Sequence, residues 1–263
     1  HRDLHSFPTR RSSDLGDAAS AIKYTKDELL KIQCMLELGQ IDEAYAKLNS
    51  LPDEFKNSPR YFTLQAQYCY SAKDFKKALE YIDEYNKLSP NSPLTFQMRA
   101  LVYDEEGDEY NAHVNWGKYN MLRKNTDIAV NEFLNAVQLK DDDIDLLFLL
   151  AGLLTESGET NHAAEYYEKI AKLDPTNKEA LRKLAKFREG IGDYRMQVKY
   201  LEKIVEADSK DIQALKELAK ACEKIKDFDG AVSAYNKCLE LITDPAETQL
   251  LKKIGRASCR ERV

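Results

Sequence analysis

Apolar residues along this chain recur three or four apart, the spacing of one helix face, in bursts separated by short polar turns. The bursts recur in their turn. Ala44, Ala78 and Ala112 are 34 residues apart, a single step of 17 leads to Ala129, and strides of 34 then reach Ala163, Gln197 and Ala231. A strict period of this length marks a stacked repeat, in which each unit buries its apolar face only against its neighbours. With Thr25, Pro59, Pro93, Ile144, Lys178 and Ile212 as first positions, every unit reads as helix, turn, helix, turn. Position 8 is alanine in five of the six (Ala66, Ala100, Ala151, Ala185, Ala219), and position 20 is alanine or, once, Gln197. Position 24 is bulky throughout: Leu48, Ile82, Trp116, Tyr167, Leu201 and Tyr235. Small residues let two helix backbones approach, and large ones fill the next layer.

The turns carry matching signals. Gly39, Gly107, Gly158 and Gly192 fall at position 15, just past the first helix, where a left-handed cap suits glycine. Ser58-Pro59 and Ser92-Pro93 place an N-cap serine before a first-turn proline. Thr25 with Glu28, Thr176 with Glu179, and Asp244 with Glu247 have capping-box spacing. The predicted fold is all-α, a right-handed α-solenoid of about six helix-turn-helix repeats of 34 residues plus one extra helix at 126–139.

That extra helix comes from the 17-residue step, which is half a period. Residues 109–122 make a good second helix through Ala112, Trp116 and Tyr119, and 126–139 make another through Ala129, Phe133 and Ala136, with no first helix between. Reading 110–123 as a first helix would put His113 and Asn120 at apolar positions. Continued stacking would exchange inner and outer faces there, so the array is expected to bend or break into parts spanning 25–122 and 144–253. Ala246 to Lys253 begin a seventh unit or a capping helix.

The two ends read as something other than protein. If residues 5–14 are encoded by CAC TCT TTC CCT ACA CGA CGC TCT TCC GAT, the reverse complement of that DNA translates as residues 254–263. One flanking DNA segment in inverted orientation, similar to a sequencing adaptor, therefore accounts for 1–15 and 254–263, leaving 16–253 as the repeat array. Setting the ends aside removes six Arg and three acidic residues and takes the net charge from −6 to −9. An acidic chain argues against a general nucleic-acid binder, whose phosphate contacts need a basic surface.

Few Gly and Pro among many Ala, Leu, Lys and Glu again indicate helix. The longest apolar run, Leu146 to Leu154, is half of what a membrane span needs. Cys69, Cys222 and Cys238 fall at positions that the repeat buries, and reduced core thiols favour a cytoplasmic location as the expectation.

With these residues in hand, the chain resembles the tetratricopeptide repeat family over nearly all of 25–253. The unit Ile212–Thr243 carries the clearest match, in Leu218-Ala219, Asp227-Phe228, Ala231, Tyr235 and Cys238, and Tyr167 with Leu173-Asp174-Pro175 closes another in the family's manner. Lys31, Gln65 and Arg99 depart from it at position 7, where leucine is usual. The resemblance implies a concave groove lined by first helices, chiefly at positions 2, 5, 9 and 12. Those positions and their neighbours supply Gln33, Thr63, Gln67, Tyr70, Gln97, Leu101 and Glu105 in the N-terminal part, a polar and nearly uncharged wall. In the C-terminal part, Arg182 and Lys186, then Lys216 and Lys220, repeat a basic pair one turn apart and predict a positive ladder suited to an acidic peptide or a terminal carboxylate. The family's chaperone-tail clamp is not reproduced in any three consecutive units.

Candidate chemistry is sparse. His113 and His162 lie on second helices as surface residues, and Asp141-Asp142-Asp143 lacks the spaced ligands of a calcium loop and reads as a helix-capping turn. No phosphate loop, nucleophile elbow or metalloprotease motif occurs. The expected function is a non-catalytic scaffold that binds a protein or peptide, without cofactor or metal. The alternatives are the regulatory or targeting array of a larger enzyme, and part of an envelope assembly or secretion lipoprotein.

Overall fold

Helical periodicity becomes thirteen helices, with no strand among the described residues, in the computed structural model, which describes residues 25–242 together with 22, 23 and 249. The adaptor-like ends, the Asp244–Glu247 cap and the start of a seventh unit lie outside the described residues. Two compact units divide the chain between Asp141 and Asp142. The first contains α1 (Glu28–Glu37), α2 (Ile41–Ser50), α3 (Pro59–Ser71), α4 (Phe75–Leu88), α5 (Pro93–Glu106), α6 (Glu109–Leu122) and α7 (Thr126–Leu139). The second contains α8 (Ile144–Glu156), α9 (Thr160–Leu173), α10 (Lys178–Gly190), α11 (Tyr194–Ala207), α12 (Ile212–Lys224) and α13 (Phe228–Leu241).

Within each unit, consecutive helices pack as hairpins on a spine of small residues. Ala66 and Ala100 on first helices, and Ala44 and Ala78 on second helices, are fully enclosed, and Leu48 and Ile82 fill the space between layers. Gln197 takes the alanine position in α11 and is buried too. The polar residues at position 7 keep their place by finding partners. The buried Gln65 amide donates to the Tyr61 hydroxyl at 2.7 Å, Lys31 pairs with Glu28 at 2.7 Å, and Arg99 pairs with Asp83 at 2.5 Å. A leucine there would bury more apolar surface, but these substitutes leave no buried donor stranded.

The turn inside every hairpin is the same device. The residue at position 15 has positive φ in all six units, and the next N–H reaches back to the carbonyl at position 11, as from Gln40 to Met35 at 2.9 Å and from Asp227 to Cys222 at 2.9 Å. This is the left-handed helix stop that glycine favours. Gly39, Gly107, Gly158 and Gly192 adopt it freely, whereas Lys73 (φ 57°) and Lys226 (φ 63°) adopt it against the steric preference of an L side chain. Lys226→Gly is therefore expected to stabilise the second unit by roughly 0.5–1 kcal/mol, the left-handed strain relieved less the extra freedom of an unfolded glycine. A denaturation midpoint that moves down would contradict this.

The same turn recurs where the 17-residue step lies. Lys124 has φ 62°, and the Asn125 N–H reaches the Asn120 carbonyl at 2.9 Å. Helix α7 has the bounds the periodicity predicts, but it does not lack a first helix. Helix α6 serves twice, as second helix of the hairpin with α5 and as first helix of the hairpin with α7. Counted from Tyr110, Gly117 occupies position 8, and its missing side chain leaves room for the fully buried ring of Phe133 at position 24. The residues that disfavour this reading in sequence are accommodated. The Asn120 amide donates to the Trp116 carbonyl at 2.9 Å and accepts from Asn125 at 3.2 Å, and His113 Nδ1 lies 2.7 Å from Glu132 Oε2.

Two N-caps differ from those the capping-box spacing predicts. Helix α1 is capped by Asp27, which accepts from the Leu30 N–H at 3.0 Å while Thr25 accepts from the Asp27 N–H. Helix α10 is capped by Asn177, which accepts from Ala180, because Thr176 is turned into a bond with Asp174 at 2.8 Å. In each case a carboxylate or amide nearer the helix outcompetes the threonine hydroxyl. Ser58 caps α3 through the Tyr61 N–H, whereas the hydroxyl of Ser92 lies 3.0 Å from that of Tyr85 and makes no cap bond. Asp143 caps α8 through the Leu146 N–H at 3.0 Å.

Candidate functional site

First helices place the candidate residues, and the two units hold different sets. In the first unit, Gln67, Tyr70 and Gln97 are half-buried at positions 9, 12 and 5 of α3 and α5. Burial, followed by the charge and hydrogen bond of Glu105, pushes the Tyr70 hydroxyl up to about 12. Tyr70 therefore joins neighbouring hairpins and is a neutral donor at any physiological pH. Leu101, read as part of the wall, is instead enclosed in the core with Met98 and Ile82.

The wall also carries a charge that the sequence reading omits. Arg60, at position 2 of α3, donates to Asp27 at 2.7 Å and to the Gln33 side-chain oxygen at 3.1 Å. Burial works against the Asp27 carboxylate, but the Leu30 N–H and the Arg60 charge prevail and hold it below the ordinary aspartate value. Asp27 thus caps α1 with one oxygen and grips the next first helix with the other.

The second unit repeats that arrangement in the opposite direction. Asp211 caps α12 by accepting from the Ala214 N–H at 3.0 Å, and its other oxygen pairs with Arg182 of α10. Lys178 reaches Asp208 at 2.7 Å, and that bond, with the Lys210 N–H, lowers the aspartate's proton affinity. The four-residue basic ladder is therefore unequal. Arg182 is spent on Asp211, whereas Lys186 and Lys220 are exposed and make no ion pair among the described residues. Lys216, one turn before Lys220 on α12, is half-buried.

Groups that could do chemistry are occupied or shielded. All four described cysteines are buried and none is in a disulfide, and burial, with Asp74 and Asp227 as the leading nearby charges, pushes Cys69 up to about 11 and Cys222 up to about 12. Such thiols are inert at neutral pH. His162 bonds Glu159 at 3.0 Å on the surface, as His113 bonds Glu132. Among the described residues, no cluster of three His, Cys, Asp or Glu could hold a metal, and no helix is long and apolar enough to cross a membrane.

Hairpins with a small residue at positions 8 and 20, a left-handed position 15 and a period of 34 define a class of helical repeat. Residues 28–68, 144–187 and 212–245 each match a tetratricopeptide repeat family model, so the chain carries tetratricopeptide repeats in both units. The C-terminal part of a TPR repeat-containing protein from Cytophaga hutchinsonii has a similar fold, with TM-score 0.51 at 17% identity over 83% of this chain and 97% of that one. The crystal structure of MamA aligns with TM-score 0.43 at 18% identity, over 70% of this chain and 91% of that one. Among curated proteins, the human RanBP2-like and GRIP domain-containing protein 3 is 30% identical over 127 residues, which are 48% of this chain. The chain spans 6% of that protein's length.

Proposed function

We propose that the chain is a non-catalytic scaffold whose first helices hold a segment of a protein partner, and that the segment held by the second unit is acidic. The carrying observation is the placement of Lys186 and Lys220 at the same repeat position on α10 and α12, both exposed and without ion-pair partners among the described residues. In this family the first helices line the groove. Lys216, one turn before Lys220, continues the strip, and Glu189 and Glu223 at position 12 bound it. A partner's carboxylates would fall over position 9, where charge-assisted hydrogen bonds to Lys186 and Lys220 are available. The match to a small part of a much longer human protein favours a second reading, in which the repeats are the targeting region of a larger chain. The same strip serves both readings.

Fluorescence anisotropy with a labelled decapeptide of alternating Asp and Glu tests this. Binding is expected at low salt and should weaken as salt screens the exposed charges. The variant Lys186→Glu/Lys216→Glu/Lys220→Glu, which leaves Arg182 on Asp211, is expected to lose at least about tenfold in affinity, or 1.4 kcal/mol. Its helix content by circular dichroism should be unchanged. Full binding by the variant would overturn the assignment.

A further inference from the structure

The second unit contains a cavity of about 380 Å³ between the α8–α9 hairpin and α10, within the size range of ligand pockets. Ala164, Tyr167, Phe187, Gly190 and Ile191 line it, with Lys183 and Lys186 alongside. The repeat itself shows what occupies this space elsewhere. Ala164 stands at position 21 and Phe187 at position 10 of the next unit. Their equivalents between the first two units are Tyr45 and Tyr68, whose rings stack with centroids 3.8 Å apart and planes 7° from parallel. Between the second and third units the equivalents are Leu79 and Val102, packed in one core cluster. Between the fifth and sixth they are Val198 and Ala221, both buried.

Only the junction of the fourth and fifth units pairs an alanine with an aromatic ring. Gly190 widens the gap, since a Cβ built there would meet no atom within 4 Å. Phe187 thus keeps a face toward the cavity, without the ring that covers Tyr68. Arg188 lies 5.5 Å from the Phe187 ring centre, but its guanidinium is engaged by Glu168 at 2.6 Å and Asp193 at 3.5 Å. Lys183 and Lys186, one turn apart on α10, are exposed and make no ion pair among the described residues.

We propose that this cavity receives an aromatic side chain from a protein partner, stacked on Phe187 as Tyr45 stacks on Tyr68, with an adjoining acidic residue of the partner held by Lys183 and Lys186. The charge complementarity selects the occupant. Two ammonium groups with no ion pair among the described residues, beside an apolar pocket, favour a peptide in which a carboxylate neighbours an aromatic residue, over a purely apolar one. The site goes beyond the first-helix strip and shares Lys186 alone with it.

The test uses a fluorescein-labelled acidic heptapeptide with one central phenylalanine, and the same peptide with alanine in its place. The wild-type chain is expected to bind the first at least tenfold more tightly than the second. Ala164→Tyr, which supplies from within the ring that the partner would bring, should abolish that preference. Lys183→Glu, an exposed change outside the first-helix strip, should weaken the phenylalanine peptide at least fivefold with helix content unchanged, which keeps the test decisive if Ala164→Tyr folds poorly. Equal affinity for the two peptides, or undiminished binding by Ala164→Tyr and Lys183→Glu, overturns the proposal. So does self-association that Ala164→Tyr removes while neither peptide binds, since the occupant would then be a second copy. Loss of acidic-peptide binding in the Lys216→Glu/Lys220→Glu variant with the phenylalanine preference intact separates this site from the strip.

Discussion

Phe133→Ala is expected to destabilise the unit ending at Asp141 by about 3–5 kcal/mol, the range for deleting an enclosed phenylalanine ring. The ring is the bulk that α7 offers to α6, and it is seated over Gly117. The glycine supplies a second arm to the experiment. On helix propensity alone Gly117→Ala would stabilise α6 by about 1 kcal/mol. In the intact protein it is expected to destabilise instead, because its Cβ would overlap the Phe133 ring, and overpacking of this kind costs roughly 1–3 kcal/mol. In the Phe133→Ala background the methyl group enters vacated space and the effect should change sign. Urea unfolding of the four proteins gives the coupling. A value under about 0.5 kcal/mol would mean that the glycine is not there for the ring.

Asp211→Ala is expected to destabilise the second unit by about 1–2 kcal/mol through loss of the α12 cap. Asp211→Asn keeps an acceptor for the Ala214 N–H and loses only the charge facing Arg182. It should lose no more than about 1 kcal/mol, since more than a third of that arginine's side chain is exposed to solvent. Thermal melting ranks the two, and hydrogen exchange at the Ala214 amide reports the cap directly. Equal losses would show that the ion pair, not the cap, stabilises this junction. Either change also frees Arg182 and should strengthen binding of an acidic peptide by the Lys186 strip, an outcome opposite to that of the lysine reversals.

Much of the fold is legible in the chain because each helix carries its own record. A small residue at positions 8 and 20 in five units of six, a bulky one at 24 in every unit and glycine at 15 in four of them keep one register, so even Lys73 and Lys226 can be placed at left-handed positions by register alone. The capping boxes were less legible. Asp27 and Asn177 lie closer to their helices than Thr25 and Thr176 do, and spacing cannot rank competing acceptors. The double use of α6 left one trace, Gly117 at position 8 of an overlapping unit, obscured by His113 and Asn120. Polar residues at buried positions count against a helix pairing only until their partners are known.

By itself, then, the sequence determined the hairpins, their period and the extra helix, since these depend on contacts within a turn or two of chain and on a pattern repeated often enough to be read. The tertiary structure alone decided which charges are free and where space remains. Arg182 is neutralised by an aspartate 29 residues away, and the face of Phe187 is open because a residue on the preceding hairpin is alanine where another unit has tyrosine. Pairing and vacancy are properties of two surfaces brought together, and no single stretch of chain contains both.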